Sequence, residues 1–121
     1  MTKVSGLYIM IVDDETSIVS MLEDVLALSG LKCRGFTQPE KALAAFLSEP
    51  LAYRVLITDL TMPTLKGDTF AIAAQSANPD CKIILSTGYH SETLSPKLKN
   101  FTLLQKPYRI DELLSLVQIK N

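Results

Sequence analysis

The chain has 121 residues, of which 47% are hydrophobic and 21% charged, and twelve basic against thirteen acidic side chains leave a net charge of −1. That length allows one domain, spanning residues 1–121, with a core that needs no disulfide or structural metal, and the composition excludes a disordered chain. The near-neutral balance speaks against direct nucleic-acid binding, which requires a basic face.

The first apolar run, Leu7 to Val12, ends in Asp13, Asp14 and Glu15. It is too short for a membrane span and wrongly flanked for a signal peptide, so a cytoplasmic protein without membrane association is expected. The run reads as a first strand. A helix follows, because Ile18, Leu22, Val25, Leu26 and Ser29 recur at three- and four-residue spacing and Gly30 supplies the stop. Leu31 to Phe36 is a second, weaker strand. Thr37 is expected to cap the next helix, with Pro39 at an early position, Glu40 three residues on, and Ala42, Leu43, Phe46 and Leu47 following.

Pro50 ends that helix. In the stretch Arg54 to Pro63, the apolar run Val55 to Ile57 closes, after Thr58, on Asp59. A short bounded run of this kind is a strand buried on both faces of a parallel sheet, with Asp59 at its carboxyl end. A loop from Leu60 to Gly67 leads to a helix over Asp68 to Ala77, and Asn78, Pro79 and Asp80 make the next break. Lys82 to Ser86 is the fourth strand, leaving Thr87 and Gly88 at its carboxyl end. From Tyr89 to Asn100 the helical stripe is interrupted by Ser91, Ser95 and Pro96, which predicts a short helix at most. Phe101 to Gln105 is the fifth strand, ending in Lys106 and Pro107. The last helix runs from about Arg109 to Gln118, with Asp111 and Glu112 suiting the dipole of its first turn.

Five strands alternating with helical stretches through short loops predict a three-layer α/β sandwich with a parallel sheet. Cys33 and Cys81 lack metal-site spacing and read as two buried thiols in a reducing compartment. Met10, Met21 and Met62 read as core or loop filler.

In a parallel sheet all strand carboxyl ends share one edge, where ligands bind. That edge receives Asp13 and Asp14 after the first strand, Asp59 after the third, Thr87 after the fourth and Lys106 after the fifth. Taken singly, each has an ordinary explanation: helix cap, turn hydroxyl, surface charge. Together they make a site. Three converging carboxylates need a counter-charge, and an oxygen-only set without histidine or cysteine points to a hard ion, Mg²⁺ keeping several waters. A metal with a nearby lysine suits the equatorial oxygens of a phosphoryl group, and one aspartate can then act as nucleophile, forming an aspartyl phosphate.

These motifs, VDDE at Val12 to Glu15, TDLTMP with Gly67 at positions 58–67, STG at 86–88 and QKPY at 105–108, resemble the receiver domain of two-component response regulators across essentially the whole chain. The resemblance implies a doubly wound, flavodoxin-like five-stranded parallel sheet of order 2-1-3-4-5. It implies Asp59 as phosphoacceptor, Asp14 and Asp59 as direct Mg²⁺ ligands, Asp13 binding directly or through water, and the backbone carbonyl of Thr61 as a further ligand. Lys106 would pair with the phosphoryl group, in a family where the bond before the Pro107 position is typically cis. Thr87 would turn its hydroxyl onto a phosphoryl oxygen, a small displacement that shifts a two-state equilibrium.

The function so implied is a signalling switch, phosphorylated by a histidine kinase or histidine phosphotransfer protein. Such a switch catalyses its own phosphorylation and slow dephosphorylation rather than turning over a substrate. A downstream protein reads it, and pairing of two copies is compatible with the resemblance. The chain would be a stand-alone receiver, an excised piece of a larger regulator, or the receiver of a hybrid histidine kinase, which its LLQKPYRIDELL ending resembles.

One position departs from that family's pattern, and others elaborate it. Leu103 stands three residues before the lysine, where such domains usually carry Tyr or Phe. Tyr89 and Tyr108 flank the site, and Tyr89 is expected to screen the phosphoryl group and lengthen its life; His90 reads as an exposed loop histidine. A docking module that works without phosphorylation is the alternative function. Enzymes on similar sheets fit less well: a haloacid-dehalogenase-type phosphatase would want an aspartate where Thr61 stands, a nucleotide hydrolase would want a Walker loop, and a flavodoxin would want a neutral phosphate loop where DDE stands.

Overall fold

Apolar runs without alternation need cover on both faces, and the fold supplies it. The computed structural model describes residues 8–60, 67–88 and 101–117. Strand β1 (Tyr8–Val12) is followed by α1 (Thr16–Leu28), β2 (Cys33–Phe36), α2 (Pro39–Ser48), a 3₁₀ turn (Pro50–Ala52), β3 (Tyr53–Asp59), α3 (Gly67–Ala77), β4 (Lys82–Thr87), β5 (Thr102–Gln105) and α4 (Ile110–Val117). The strands form one parallel sheet of order β2-β1-β3-β4-β5. The weak signal for β2 has a physical reason: it is an edge strand, and all four of its residues are only half-buried.

Two apolar layers flank the sheet. On one face Met10, Val12, Leu56 and Leu85 pack with Ala42 and Phe46 of α2 and Phe70, Ala71 and Ala74 of α3. On the other, Ile9, Ile11, Val55, Ile57 and Ile84 pack with Val19, Leu22 and Leu26 of α1 and Leu113 and Val117 of α4. The alternation of Leu56 and Ile57 between the layers is the strand period of two. Val19 sits on the inner stripe of α1, while Ile18 and Val25 are half-buried at its margin.

Close packing fixes α1 against β2. A Cβ added to Gly35 would lie 2.5 Å from Val19 Cγ1 and 2.6 Å from Glu23 Oε2, so any side chain there would force the buried Val19 and the Glu23 side chain to move. Gly30, at φ 79°, ends α1 in the left-handed conformation expected of a stop glycine. At the amino-terminal ends of the strands, Arg34 donates to the Tyr53 hydroxyl at 3.0 Å and lies 3.9 Å over the Tyr8 ring, and Phe46 stacks on Tyr53.

Several expectations are corrected. Gln38, not Thr37, is the N-cap of α2, because Pro39 with its fixed φ takes the first helical position. Cys33 is half-buried on the edge strand, whereas Cys81 is buried, and both are free thiols. Met10 is core, but Met21 is 41% exposed on α1 and so is neither core nor loop filler. The expected short helix between Tyr89 and Asn100, the loop from Thr61 to Lys66 with Met62, and the side chains of Tyr89 and His90 lie outside the described residues.

Candidate functional site

Backbone pairing brings the polar residues together. Val12 is paired with Thr58, so Asp13 and Asp59 leave neighbouring strands at the same level. Asp59 is paired with Ser86 and Thr87 with Gln105, which carries the same edge across to Lys106. Backbone bonds continue past the strand ends: Asp13 donates its N–H to the Phe36 carbonyl at 3.1 Å, Leu60 to Ser86 at 2.9 Å and Lys106 to Thr87 at 2.7 Å. The residues are therefore set by the sheet rather than by free loops. The Lys106–Pro107 peptide bond is cis.

The side chains converge. One carboxylate oxygen each from Asp13, Asp14 and Asp59 lies within 4.8 Å of the others, with Asp13 and Asp59 buried and Asp14 exposed. Lys106 Nζ stands 3.2 Å from Asp13 Oδ2 and 3.3 Å from Asp59 Oδ2. Asp13 is held at its second oxygen as well, which accepts the Glu15 N–H at 3.0 Å where α1 begins. Burial works against the Lys106 ammonium, yet Asp13 and Asp59 outweigh it and hold its pKa above the ordinary value. Tyr108, two residues on, is half-buried; burial raises its pKa, Lys106 opposes the rise, and Asp13 and Asp59 add to it.

One ammonium against three carboxylates leaves the cluster with excess negative charge, and all its donors are oxygens. Those two properties fit a hard divalent ion. In an octahedron with Mg²⁺–oxygen bonds of about 2.0–2.1 Å, opposite ligand atoms lie roughly 4.2 Å apart, close to the spread of these oxygens. Among the described residues no histidine or cysteine belongs to the cluster.

All the site residues read from the sequence that fall within the described residues, Asp13, Asp14, Asp59, Thr87 and Lys106, thus meet at one edge. Thr61 lies outside the described residues. Thr87 is buried at the end of β4. Leu103 is half-buried and packs on the α2 and α3 side of the sheet. The ion pairs of Lys106 with the two aspartates were not read from the sequence, since residues 93 and 47 positions apart meet only through the sheet order. Also missed was an apolar wall beside the site, formed by Ile18 and Met21 of α1 with Pro107 and Tyr108. Its only sequence signal is that Met21 falls outside the Val19, Leu22 and Leu26 stripe.

A family model described as the response regulator receiver domain matches residues 9–118. The chain is 32% identical over 111 residues to the DNA-binding transcriptional regulator NtrC of Salmonella typhimurium, covering 89% of this chain and 23% of that protein. It is 26% identical to the response regulator receiver protein CpdR of Brucella abortus, over 91% of this chain and 92% of that one. The chain thus spans about a quarter of the length of the NtrC proteins it matches and nearly all of CpdR. Among solved structures, the chemotaxis protein CheY4 of Vibrio cholerae superposes with a TM-score of 0.78 at 26% identity, covering 94% of this chain and 98% of that one. Among the described residues no helix is long and apolar enough to cross a membrane.

Proposed function

Because the chain belongs to the response regulator receiver domain family, we propose that it is a phosphorylation switch in which Asp59 accepts a phosphoryl group from a phosphohistidine on a histidine kinase or histidine phosphotransfer protein. The observation that carries this reading is Lys106 lying between the buried Asp13 and Asp59 carboxylates at the sheet's carboxyl edge. Asp59 is the nucleophile, since it ends the central strand and sits beside both the second acidic strand end and the lysine.

Asp13, Asp14 and Asp59, with the Thr61 backbone carbonyl, would hold Mg²⁺. Bound there, the ion would supply positive charge for the phosphoryl oxygens that one lysine cannot balance alone. Lys106 is already within 3.3 Å of the attacking carboxylate. As Asp59 gives up its charge to a mixed-anhydride bond with phosphorus, the ammonium passes from the carboxylate to a phosphoryl oxygen. Thr87, one strand over, donates its hydroxyl to another, and that inward turn is the conformational output. The output biases a two-state equilibrium that a downstream protein reads. Residues 1–121 make one such receiver. It returns to the resting state by slow hydrolysis, with Tyr89 slowing access of water.

Intact mass after incubation with Mg²⁺ and acetyl phosphate, for the wild type and Asp59→Asn side by side, tests the reading. A phosphoryl adduct on the wild type that needs Mg²⁺ and vanishes in Asp59→Asn is expected. A folded, Mg²⁺-binding protein that never takes up the adduct, from acetyl phosphate or from a phosphohistidine protein, would leave a docking module that works without phosphorylation.

A further inference from the structure

Beside Lys106 the surface opens into a groove of about 440 Å³, lined by Ile18 and Met21 of α1, by Pro107 and Tyr108, and by Lys106 itself. Its volume is in the range of small-molecule sites. The lining is lopsided: four apolar side chains and one cation, and that cation also touches the Asp59 carboxylate. Such a groove complements a small amphipathic anion whose charged end reaches Lys106 and whose short apolar tail lies on Ile18, Met21 and Tyr108.

The chemistry proposed for Asp59 narrows the class. A phosphorylated aspartate is a mixed anhydride of a carboxylic and a phosphoric acid. A small acyl phosphate is the same functional group, so transfer exchanges one carboxylate for another with little change in free energy. We infer that the groove is an acyl-tail subsite, giving this chain a preference for small acyl phosphates that carry an apolar chain. The inference rests on Asp59 being the phosphoacceptor. An Asp59 carboxylate oxygen attacks phosphorus, the bond from phosphorus to the acyl oxygen breaks, and the departing carboxylate keeps the electron pair. Three negative charges stand on each side, and no proton moves.

The test compares initial phosphorylation rates with acetyl phosphate, butyryl phosphate and the tail-less donor phosphoramidate, read by intact mass in Mg²⁺. Acetate and butyrate are equally good leaving groups, so the butyryl-to-acetyl ratio reports the tail alone. Two extra buried methylenes correspond to roughly a tenfold preference for butyryl phosphate. In Met21→Ser the ratio falls toward one, while Met21→Leu keeps it. Met21 is 41% exposed, so neither change disturbs the core. Equal rates for the two acyl phosphates on the wild type would overturn the subsite and leave the groove to a protein partner. So would a tenfold ratio that survives Met21→Ser. In either case labelling of Asp59 would stand. If no small donor labels the wild type, this inference fails, whereas the phosphoacceptor reading falls only when a phosphohistidine protein also leaves Asp59 unlabelled.

Discussion

Lys106 is shared by two buried carboxylates, and Asp14 adds a third charge that no residue is seen to balance by a direct ion pair among the described residues. The like charges of Asp14 and its neighbours would destabilise the metal-free fold and at the same time supply the affinity proposed for Mg²⁺. Asp14→Asn separates these two effects. Without metal and at low salt, the variant should be more stable than the wild type, by about 0.5–1 kcal/mol or a few degrees in Tm. With Mg²⁺ it should gain far less than the wild type, and a thermal scan with and without the ion measures both. Equal gains would remove Asp14 from the ligand set. A second residue, Cys81, matters through burial alone, which pushes its thiol from 9.0 up to about 12. Between these values the unfolded chain loses the proton and the folded chain keeps it. The stabilisation is therefore complete below pH 9.0 and is lost as pH rises toward 12, by up to about 1.4 kcal/mol per unit. In Cys81→Ala the fall in stability between pH 9 and 11 should be shallower by about that amount, which denaturant titrations at a series of pH values would reveal.

Between elements, the joint that matters most is made by Asn78, which ends α3. Its side-chain N–H₂ donates to the Pro50 and Tyr53 carbonyls at 2.9 and 3.1 Å, and its oxygen accepts the Asp80 N–H. One buried amide thus ties the α3–β4 turn to the start of β3, the strand that delivers Asp59. Asn78→Ala should cost about 1–3 kcal/mol, since two carbonyls lose their donor. Asn78→Asp should cost more, because a carboxylate would face two carbonyl oxygens. Equal stability of the two variants in urea would mean that water replaces the amide. From the sequence Asn78 read only as part of an Asn-Pro-Asp break, because a turn signal looks the same whether or not its side chain is buried. The same limit explains Thr37: capping chemistry was visible, but Pro39 moved the helix start by one residue. The strands and their carboxyl-end residues were legible because buried parallel strands are bounded apolar runs and the polar residue after each run is set by the chain itself. Strand order is absent from any local pattern and came from the resemblance, and the direct pairing of Lys106 with Asp13 was read from neither.

At the scale of the molecule, the site exists only when the sheet is complete. Asp13, Asp59 and Lys106 come from the ends of β1, β3 and β5, and β4 lies between the last two. An unfolded chain cannot present the carboxylate cluster, and one with β5 detached would lose Lys106 from beside it. Mg²⁺ binding at the proposed site would thereby be linked to folding and should stabilise the domain by RT ln(1 + [Mg²⁺]/Kd), about 2.7 kcal/mol at a hundredfold excess over Kd. Tyrosine provides the probes, since the chain has no tryptophan. Tyr8 and Tyr53 report the layer packed on α2, and Tyr108 the layer packed on α1 and α4. Because β1, β3 and β4 contribute side chains to both layers, the layers should not unfold separately. Urea titrations followed by far-UV circular dichroism, by fluorescence of the wild type and by fluorescence of Tyr108→Phe should give coincident transitions. Mg²⁺ should move all of them to higher midpoints with an unchanged slope, and a chelator should return them. Transitions that separate on adding Mg²⁺ would mean that the ion stabilises one layer alone, and the site would then be assembled before the second layer packs.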